Sequence, residues 1–240
     1  MDPSFKHRKT LLFPTQIPLV LVSGLLSNPS LWRHQIDHLS DIASIQVHSP
    51  SQDTSAKMVE AILNKAPPKF ALVGHSMGGW LSLEIMRIAP SRVSHLCLLN
   101  TTSRMDSDAK KQRRQEMIHR AENGKFHEIA EELAENFVYH PLVKREVEKM
   151  FLNVGKETFV HQQKAMLARN ESLSILSTIT CPTLVIHAAK DKNFSLEEQN
   201  EMANQITDAK LAIVEDSGHM SPIEMPQAIT ALLKFWLTYF

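Results

Sequence analysis

Residues Val73 to Trp80 read VGHSMGGW, a serine set among three glycines. The stretch decides the fold because of its flanks. Before it, KFALVGH (69–75) is a short, continuously apolar run, the pattern of a strand buried on both faces. After it, MGGWLSLEIMRIA (77–89) has the spacing of a helix and stops at Pro90. The pentapeptide GHSMG therefore fits G-x-S-x-G in a strand-to-helix turn. Small residues at Gly74 and Gly78 let the two backbones approach. The turn lifts the Ser76 side chain above the sheet, beside a helix N-terminus. A tight turn alone would explain the glycines. It would not require a base and an acid elsewhere in the chain.

Working outward, short apolar runs alternate with amphipathic stretches. PLVLVSG (18–24), SIQVHS (44–49), VSHLCLLN (93–100), PTLVIHAA (182–189) and AKLAIVED (209–216) read as further strands, and residues 11–13 as an additional edge strand. NPSLWRHQIDHL (28–39), TSAKMVEAILNKA (54–66) and a final stretch from Ser221 to Phe240 read as helices. This alternation predicts an α/β protein with a mostly parallel sheet of six to eight strands and helices on both faces. One segment departs from it. Residues 103–177 carry no convincing strand but show helical periodicity in FHEIAEELAENFV, LVKREVEKMFLNV and ETFVHQQKAMLA. The segment is too long for a single crossover, so it reads as a helical insertion in a core of residues 1–102 and 178–240, with a set of ordinary crossover helices as the alternative.

A serine hydroxyl is a poor nucleophile near neutral pH and needs a base. Of the 12 histidines, His34, His38, His95, His119, His127 and His161 fall on polar helix faces or strand edges. His34 and His38 are four apart on one helix, but no third metal ligand accompanies them. His219 lies in EDSGHMSP (215–222), a loop after the sixth strand, where open α/β sheets place their sites. Asp191, in VIHAAKDKNF (185–194), ends the fifth strand and is the favoured acid to orient that histidine. Asp216 is its rival, three residues from His219 in the same loop. Backbone N–H groups of Leu25, just past the first strand, and Met77, at the start of a helix, are placed to receive an oxyanion.

Composition narrows the class. The chain has 240 residues and is 43% hydrophobic, enough for one large core or two small ones. Lys and Arg total 26, as do Asp and Glu. That balance argues against a nucleic acid, an anionic membrane or a strongly charged partner. The run Lys110, Lys111, Arg113 and Arg114 reads first as a solvated helix face and second as a contact for an acidic substrate or carrier. Two cysteines in apolar settings fit a reducing, cytoplasmic compartment. A basic N-terminus followed by TLLFPTQIPLVLVSGLL loosely imitates a signal peptide, but its prolines break the apolar stretch and no cleavage site follows.

With turn, base, acid and oxyanion positions in chain order Ser76, Asp191, His219, the sequence resembles the α/β-hydrolase superfamily. The resemblance runs from PLVLVSGLLSNPSLW to EDSGHMSPIEMPQAITALLKFWL. It is nearest to small bacterial esterase-like and lactonase-like enzymes, including relatives of the enol-lactone hydrolases and of the pyruvate-eliminating enzyme of menaquinone synthesis. It implies Ser76 as nucleophile, Asp191 as acid and His219 as base, with no cofactor or metal and a small-molecule ester, thioester or lactone as substrate. It implies that residues 103–177 form a helical cap, with a pocket between sheet and cap lined by Leu25, Leu26, Met77, Met220 and Phe137, and Phe151 and Met166 as further candidates. Two departures stand out. Ser23-Gly24 replaces the family's usual His-Gly, and the short N-terminus reduces the opening hairpin, favouring six or seven strands. Two alternatives stay open: a same-fold enzyme using the triad as a base for C–C cleavage or elimination, and a non-catalytic binding module.

Overall fold

Six apolar runs become six parallel strands in the computed structural model of the protein, which describes residues 16–240. They are β1 (Ile17–Val22), β2 (Ala43–His48), β3 (Phe70–His75), β4 (Val93–Leu99), β5 (Thr183–Ala188) and β6 (Lys210–Val214), in sheet order β2-β1-β3-β4-β5-β6. Every residue of β3 and β5 is buried, whereas the edge strands β2 and β6 are only partly so. Such a gradient follows from covering both faces of a parallel sheet, since inner strands then contact apolar layers on two sides. The edge strand expected at residues 11–13 lies outside the described residues.

Helices α1 (Arg33–Leu39), α2 (Ser55–Lys65) and α3 (Met77–Ile88) form the first three crossovers. Between β4 and β5 lie α4 (Asp108–Glu122), α5 (Phe126–Phe137), α6 (Lys144–Val154), α7 (Lys156–Leu167) and the one-turn α8 (Leu173–Leu176). Then α9 (Leu196–Gln205) joins β5 to β6, and α10 (Ser221–Glu224) and α11 (Pro226–Tyr239) follow β6. Helix α1 packs on α11, and α2 on α3. Right-handed crossovers put these pairs on opposite faces, because the step from β1 to β2 runs along the sheet against the later steps. The reversal leaves a crevice at the carboxyl ends of β1 and β3.

Two elements differ from the sequence reading. Helix α9 was not among the expected elements, although Ser195 and Glu198 form a full capping box at its start. The single helix expected from Ser221 is two, because Pro226 excludes Met225 from the helical region; Met225 takes φ −129° and ψ 59°. Both cysteines are free, and burial pushes the Cys97 thiol pKa up. No helix among the described residues is long and apolar enough to cross a membrane.

Helix α3 is buried around most of its circumference, with Trp80, Leu81, Leu83 and Ile85 all in the core. Its first turn sits directly on the end of β1. A Cβ at Gly78 would collide with the Val22 carbonyl oxygen. Gly78→Ala is therefore expected to cost about 1–3 kcal/mol through overpacking, lowering the melting temperature by about 2–12 °C for a chain of this size. Thermal unfolding followed by circular dichroism checks this, and an unchanged melting temperature would refute the close approach.

Candidate active site

Ser76 stands between the last residue of β3 and the first of α3. Its backbone is held at φ 56° and ψ −118°, a region that side chains rarely occupy. Such a conformation costs about 1–3 kcal/mol and persists only where the surroundings enforce it. Here the Ser76 N–H donates to the Leu99 carbonyl at 2.9 Å, extending the β3–β4 ladder, and the Thr101 hydroxyl donates to the Ser76 carbonyl at 2.7 Å. These contacts leave the Ser76 hydroxyl pointing at the loop after β6.

His219 on that loop is 2.8 Å from the Ser76 Oγ through Nε2 and 2.8 Å from Asp191 Oδ2 through Nδ1. An ionised carboxylate can only accept, so Nδ1 carries the proton and the neutral ring offers Nε2 as acceptor to the serine hydroxyl. The Asp191 side chain is fully buried. Burial alone would raise its pKa, but the His219 ring and the donors of Asn193 hold it below the ordinary value. Those donors are the Asn193 N–H at 2.8 Å and Nδ2 at 3.0 Å, both to Oδ1. The structure thus brings Ser76, His219 and Asp191 together. Asp216 offers only its backbone carbonyl, to His140 Nε2 at 2.7 Å.

Three residues that the sequence did not single out hold His219 in place. Its carbonyl accepts from His75 Nε2 at 2.8 Å and from Asn100 Nδ2 at 3.0 Å. Asn100, buried at the end of β4 with φ 45°, also accepts from the Ala188 N–H at 2.8 Å and so ties β5 to the same loop. Burial, reinforced by the neighbouring His219, drives the His75 pKa down to about 3, so His75 is neutral at ordinary pH. The buried Glu224 acts as a clamp. Its carboxylate accepts from the Tyr139, His140 and Met220 N–H groups at 2.7, 3.0 and 3.0 Å. The His219 N–H adds a bond to the Phe137 carbonyl at 2.8 Å, so the loop is pinned to the segment after α5.

Gly24 lies against the serine. A Cβ there would sit 3.0 Å from both Ser76 Cβ and His75 Nδ1, closer than ordinary contact allows. The close approach sets the Leu25 loop beside Ser76. No acceptor among the described residues meets the Leu25 or Met77 N–H. The neighbouring Leu26 N–H is instead taken by Gln162 Oε1 at 2.9 Å. Ser23, at the departure from His-Gly, accepts from Trp32 Nε1 at 3.1 Å and so packs the loop.

A cavity of about 230 Å³ opens over Ser76, His219, Leu25 and Met77. Phe137 and Met166 line it, together with Met117 and Leu133. Leu26 and Met220 do not: Leu26 is wholly buried against α7 through its Gln162 bond, and Met220 is turned inward with its N–H on Glu224. Phe151 stands behind Phe137, edge to face at 6.0 Å. The basic face of α4 is also not simply solvated, for Lys110, Arg113 and Arg114 line the cavity. His34 and His38 stack at 4.0 Å, with their Nδ1 atoms on Thr230 and the His34 carbonyl. Among the described residues, no group of three or more His, Cys, Asp or Glu side chains is gathered to hold a metal.

Comparison with known proteins places this geometry. Residues 48–226 match the family described as the alpha/beta hydrolase fold. A relative from Acinetobacter baylyi, an (E)-2-((N-methylformamido)methylene)succinate hydrolase, is 26% identical over 92% of this chain and 90% of its own. A thermophilic esterase from Thermogutta terrifontis is 27% identical, with TM-score 0.84 over 93% of this chain and 90% of that one. The enol-lactonase of Burkholderia xenovorans superposes with TM-score 0.84 at 21% identity, covering 93% of this chain and 92% of its own, and shares the fold.

Two outcomes follow from the geometry. Glu224→Ala strands three N–H groups, that of Met220 buried and those of Tyr139 and His140 partly so, and a buried donor left unsatisfied costs about 1–3 kcal/mol. Amide hydrogen exchange at Tyr139, His140 and Met220 is expected to accelerate well beyond that of α3; protection equal to wild type would show that the clamp is not what holds the loop. The second concerns pH. The unfolded chain protonates His75 near its ordinary pKa of about 6.5, while the folded chain does so only near 3. Between those values the unfolded state binds more protons, so stability falls as pH falls through that window. His75→Gln keeps a donor for the His219 carbonyl and is expected to flatten this acid limb in urea titrations at pH 7, 6 and 5. An unaltered slope would contradict the neutral, buried assignment.

Proposed function

The chain belongs to the alpha/beta hydrolase family, and from that premise we propose that it is a serine hydrolase cleaving a small carboxylic ester, thioester or lactone. The observation that carries this reading is the continuous line from Asp191 through His219 to Ser76, with two unpartnered N–H groups alongside. In the proposed cycle His219 Nε2 takes the Ser76 hydroxyl proton as Oγ bonds to the substrate carbonyl carbon. The Leu25 and Met77 N–H groups receive the resulting oxyanion. The intermediate collapses, the bond to the leaving group breaks, and His219 returns the proton to that group. Water then gives a proton to His219 and its oxygen to the acyl carbon, and the Oγ–carbon bond breaks to release the acid as His219 returns that proton to Oγ.

Asp191 keeps the ring in the required tautomer and stabilises the imidazolium. Neutral His75, whose ring centroid is 5.0 Å from that of His219, adds no opposing charge. Residues 103–177 serve as the cap that closes the cavity over the serine. The esterase from Thermogutta terrifontis supports ester chemistry, and the Acinetobacter relative, whose name records a succinate derivative, supports a small acidic substrate.

A fluorophosphonate probe is expected to label the wild type and neither Ser76→Ala nor His219→Ala. Cleavage of 4-nitrophenyl butyrate should fall by about 10³-fold or more in each variant, as for nucleophile and base removal in such triads. Asp191→Asn, which favours the wrong tautomer, should lose activity while keeping its fold. A wild type that neither takes the probe nor cleaves the ester would refute the reading.

A further inference from the structure

The cavity over Ser76 is strongly cationic in a chain whose acidic and basic residues balance. Five cationic residues line it, Lys110, Arg113, Arg114, Arg169 and Lys192, against one carboxylate, Asp106. The excess is therefore local and is not inherited from a basic protein. We propose that this cavity recognises a carboxylate on the substrate, so that the ester, thioester or lactone cleaved is an acidic one; the reacting bond rests on the serine-hydrolase reading above.

The inner part of the site is built. Arg114 Nε and Nη2 lie 2.6 and 3.5 Å from the two oxygens of Asp106, and Arg169 Nη2 lies 2.9 Å from Oδ1. Two guanidinium groups thus share one carboxylate, and the group of three keeps a net positive charge. The Arg169 side chain is 5% exposed and that of Asp106 is 2% exposed, so little water compensates that charge. Arg169 Nε is buried without a partner, and no acceptor among the described residues meets its Nη1. An unpaired buried donor on a charged group is costly, and an anion in the cavity offsets the net positive charge that this buried group carries. At the exposed rim, Arg113 and Lys192 have no acidic partner within ion-pair reach among the described residues. The Lys110 ammonium lies 5.6 Å above the Phe194 ring.

Bracing of the helical segment explains part of this arrangement, since Arg114 also holds Gln163 of α7 at 2.7 Å. It does not explain a second guanidinium on an already paired carboxylate, nor three further cations around the same opening. The anion that fits is planar. Asp106 already meets Arg114 through two oxygens, the fork geometry by which arginine reads carboxylates. The same cavity is also lined by the apolar side chains of Met117, Leu133, Phe137 and Met166, which suit a short hydrocarbon spacer between the carboxylate and the bond that is cut.

The test compares phenyl butyrate with two matched esters, monophenyl adipate, acidic on the acyl side, and 4-butyryloxybenzoate, acidic on the leaving group. At least one acidic ester is expected to show kcat/KM about 10-fold or more above the neutral one, the scale of a charge-assisted hydrogen bond. Arg113→Gln and Arg169→Met should each bring that ratio down, mainly through KM. Arg113 is exposed, so its variant keeps the test valid if Arg169→Met fails to fold. Independently of catalysis, glutarate should raise the melting temperature of the wild type, and glutaramide should not. Equal kcat/KM for all three esters without a glutarate shift would overturn the proposal, and inorganic phosphate matching glutarate would overturn the choice of carboxylate. A glutarate shift without probe labelling or ester cleavage would sink the hydrolase reading and leave the anion site standing.

Discussion

One carbonyl oxygen, that of His219, governs the geometry of the site. It receives a hydrogen bond from His75, at the end of β3, and another from Asn100, at the end of β4. A loop after an edge strand is not set by the sheet itself, because among the described residues β6 pairs only with β5. The two donors bring the loop onto the centre of the sheet, where Ser76 already stands. The imidazole then reaches the serine hydroxyl as a consequence of where its own backbone is tied. Neutrality of His75 belongs to the same device: a ring buried this deeply next to another imidazole donates one N–H and carries no charge that would oppose His219.

The second constraint is steric. Gly78 lets α3 touch the end of β1, and Gly24 lets the following loop touch Ser76. The two contacts fall at the point where the chain reverses direction across the sheet, so the crevice and the strained turn coincide. Strain at Ser76 is tolerable because its N–H and carbonyl are both engaged by the neighbouring strand end, through Leu99 and Thr101. Sheet order, glycine placement and hydrogen bonding are thus one arrangement viewed at three scales.

These constraints also explain what could be read from the sequence. The strands were legible because inner strands such as β3 and β5 are buried throughout and mostly apolar, and the turn at Ser76 was legible because its glycines have a steric purpose. Asp191 and His219 stood out by their position after strands, which depends on topology and not on neighbours. Asn100 and Glu224 carried no such mark. Apart from the Glu224 bond to the nearby Met220 N–H, each does its work through partners 84 or more residues away, and a lone Asn or Glu at a strand or helix end has many ordinary uses. Pro226 and the Ser195–Glu198 cap were legible local signals for the helix break and for α9. The inward set of Leu26 and Met220 was not, because which side of a loop faces a cavity is decided by bonds such as that of Gln162 to the Leu26 N–H.

The balance of charge shows most clearly how a whole-chain property misleads about a site. Equal numbers of acids and bases weigh against a charged partner only if they are evenly mixed, and here they are not. The basic run on α4 has the composition of a solvated face. Packing α4 against α7 rotates that face partly onto the cavity, and the interior ion group of Arg114, Asp106 and Arg169 keeps it there. Burying such a group is a poor way to gain stability, since apolar residues of similar volume usually serve as well or better. Asp106 shows the tension directly. Burial works to raise its pKa, and the hydrogen bond and charge of Arg114, with the charge of Arg169, hold it below the ordinary value. An arrangement that costs stability and gathers net positive charge at the cavity over Ser76 is accounted for by what it binds more readily than by what it braces.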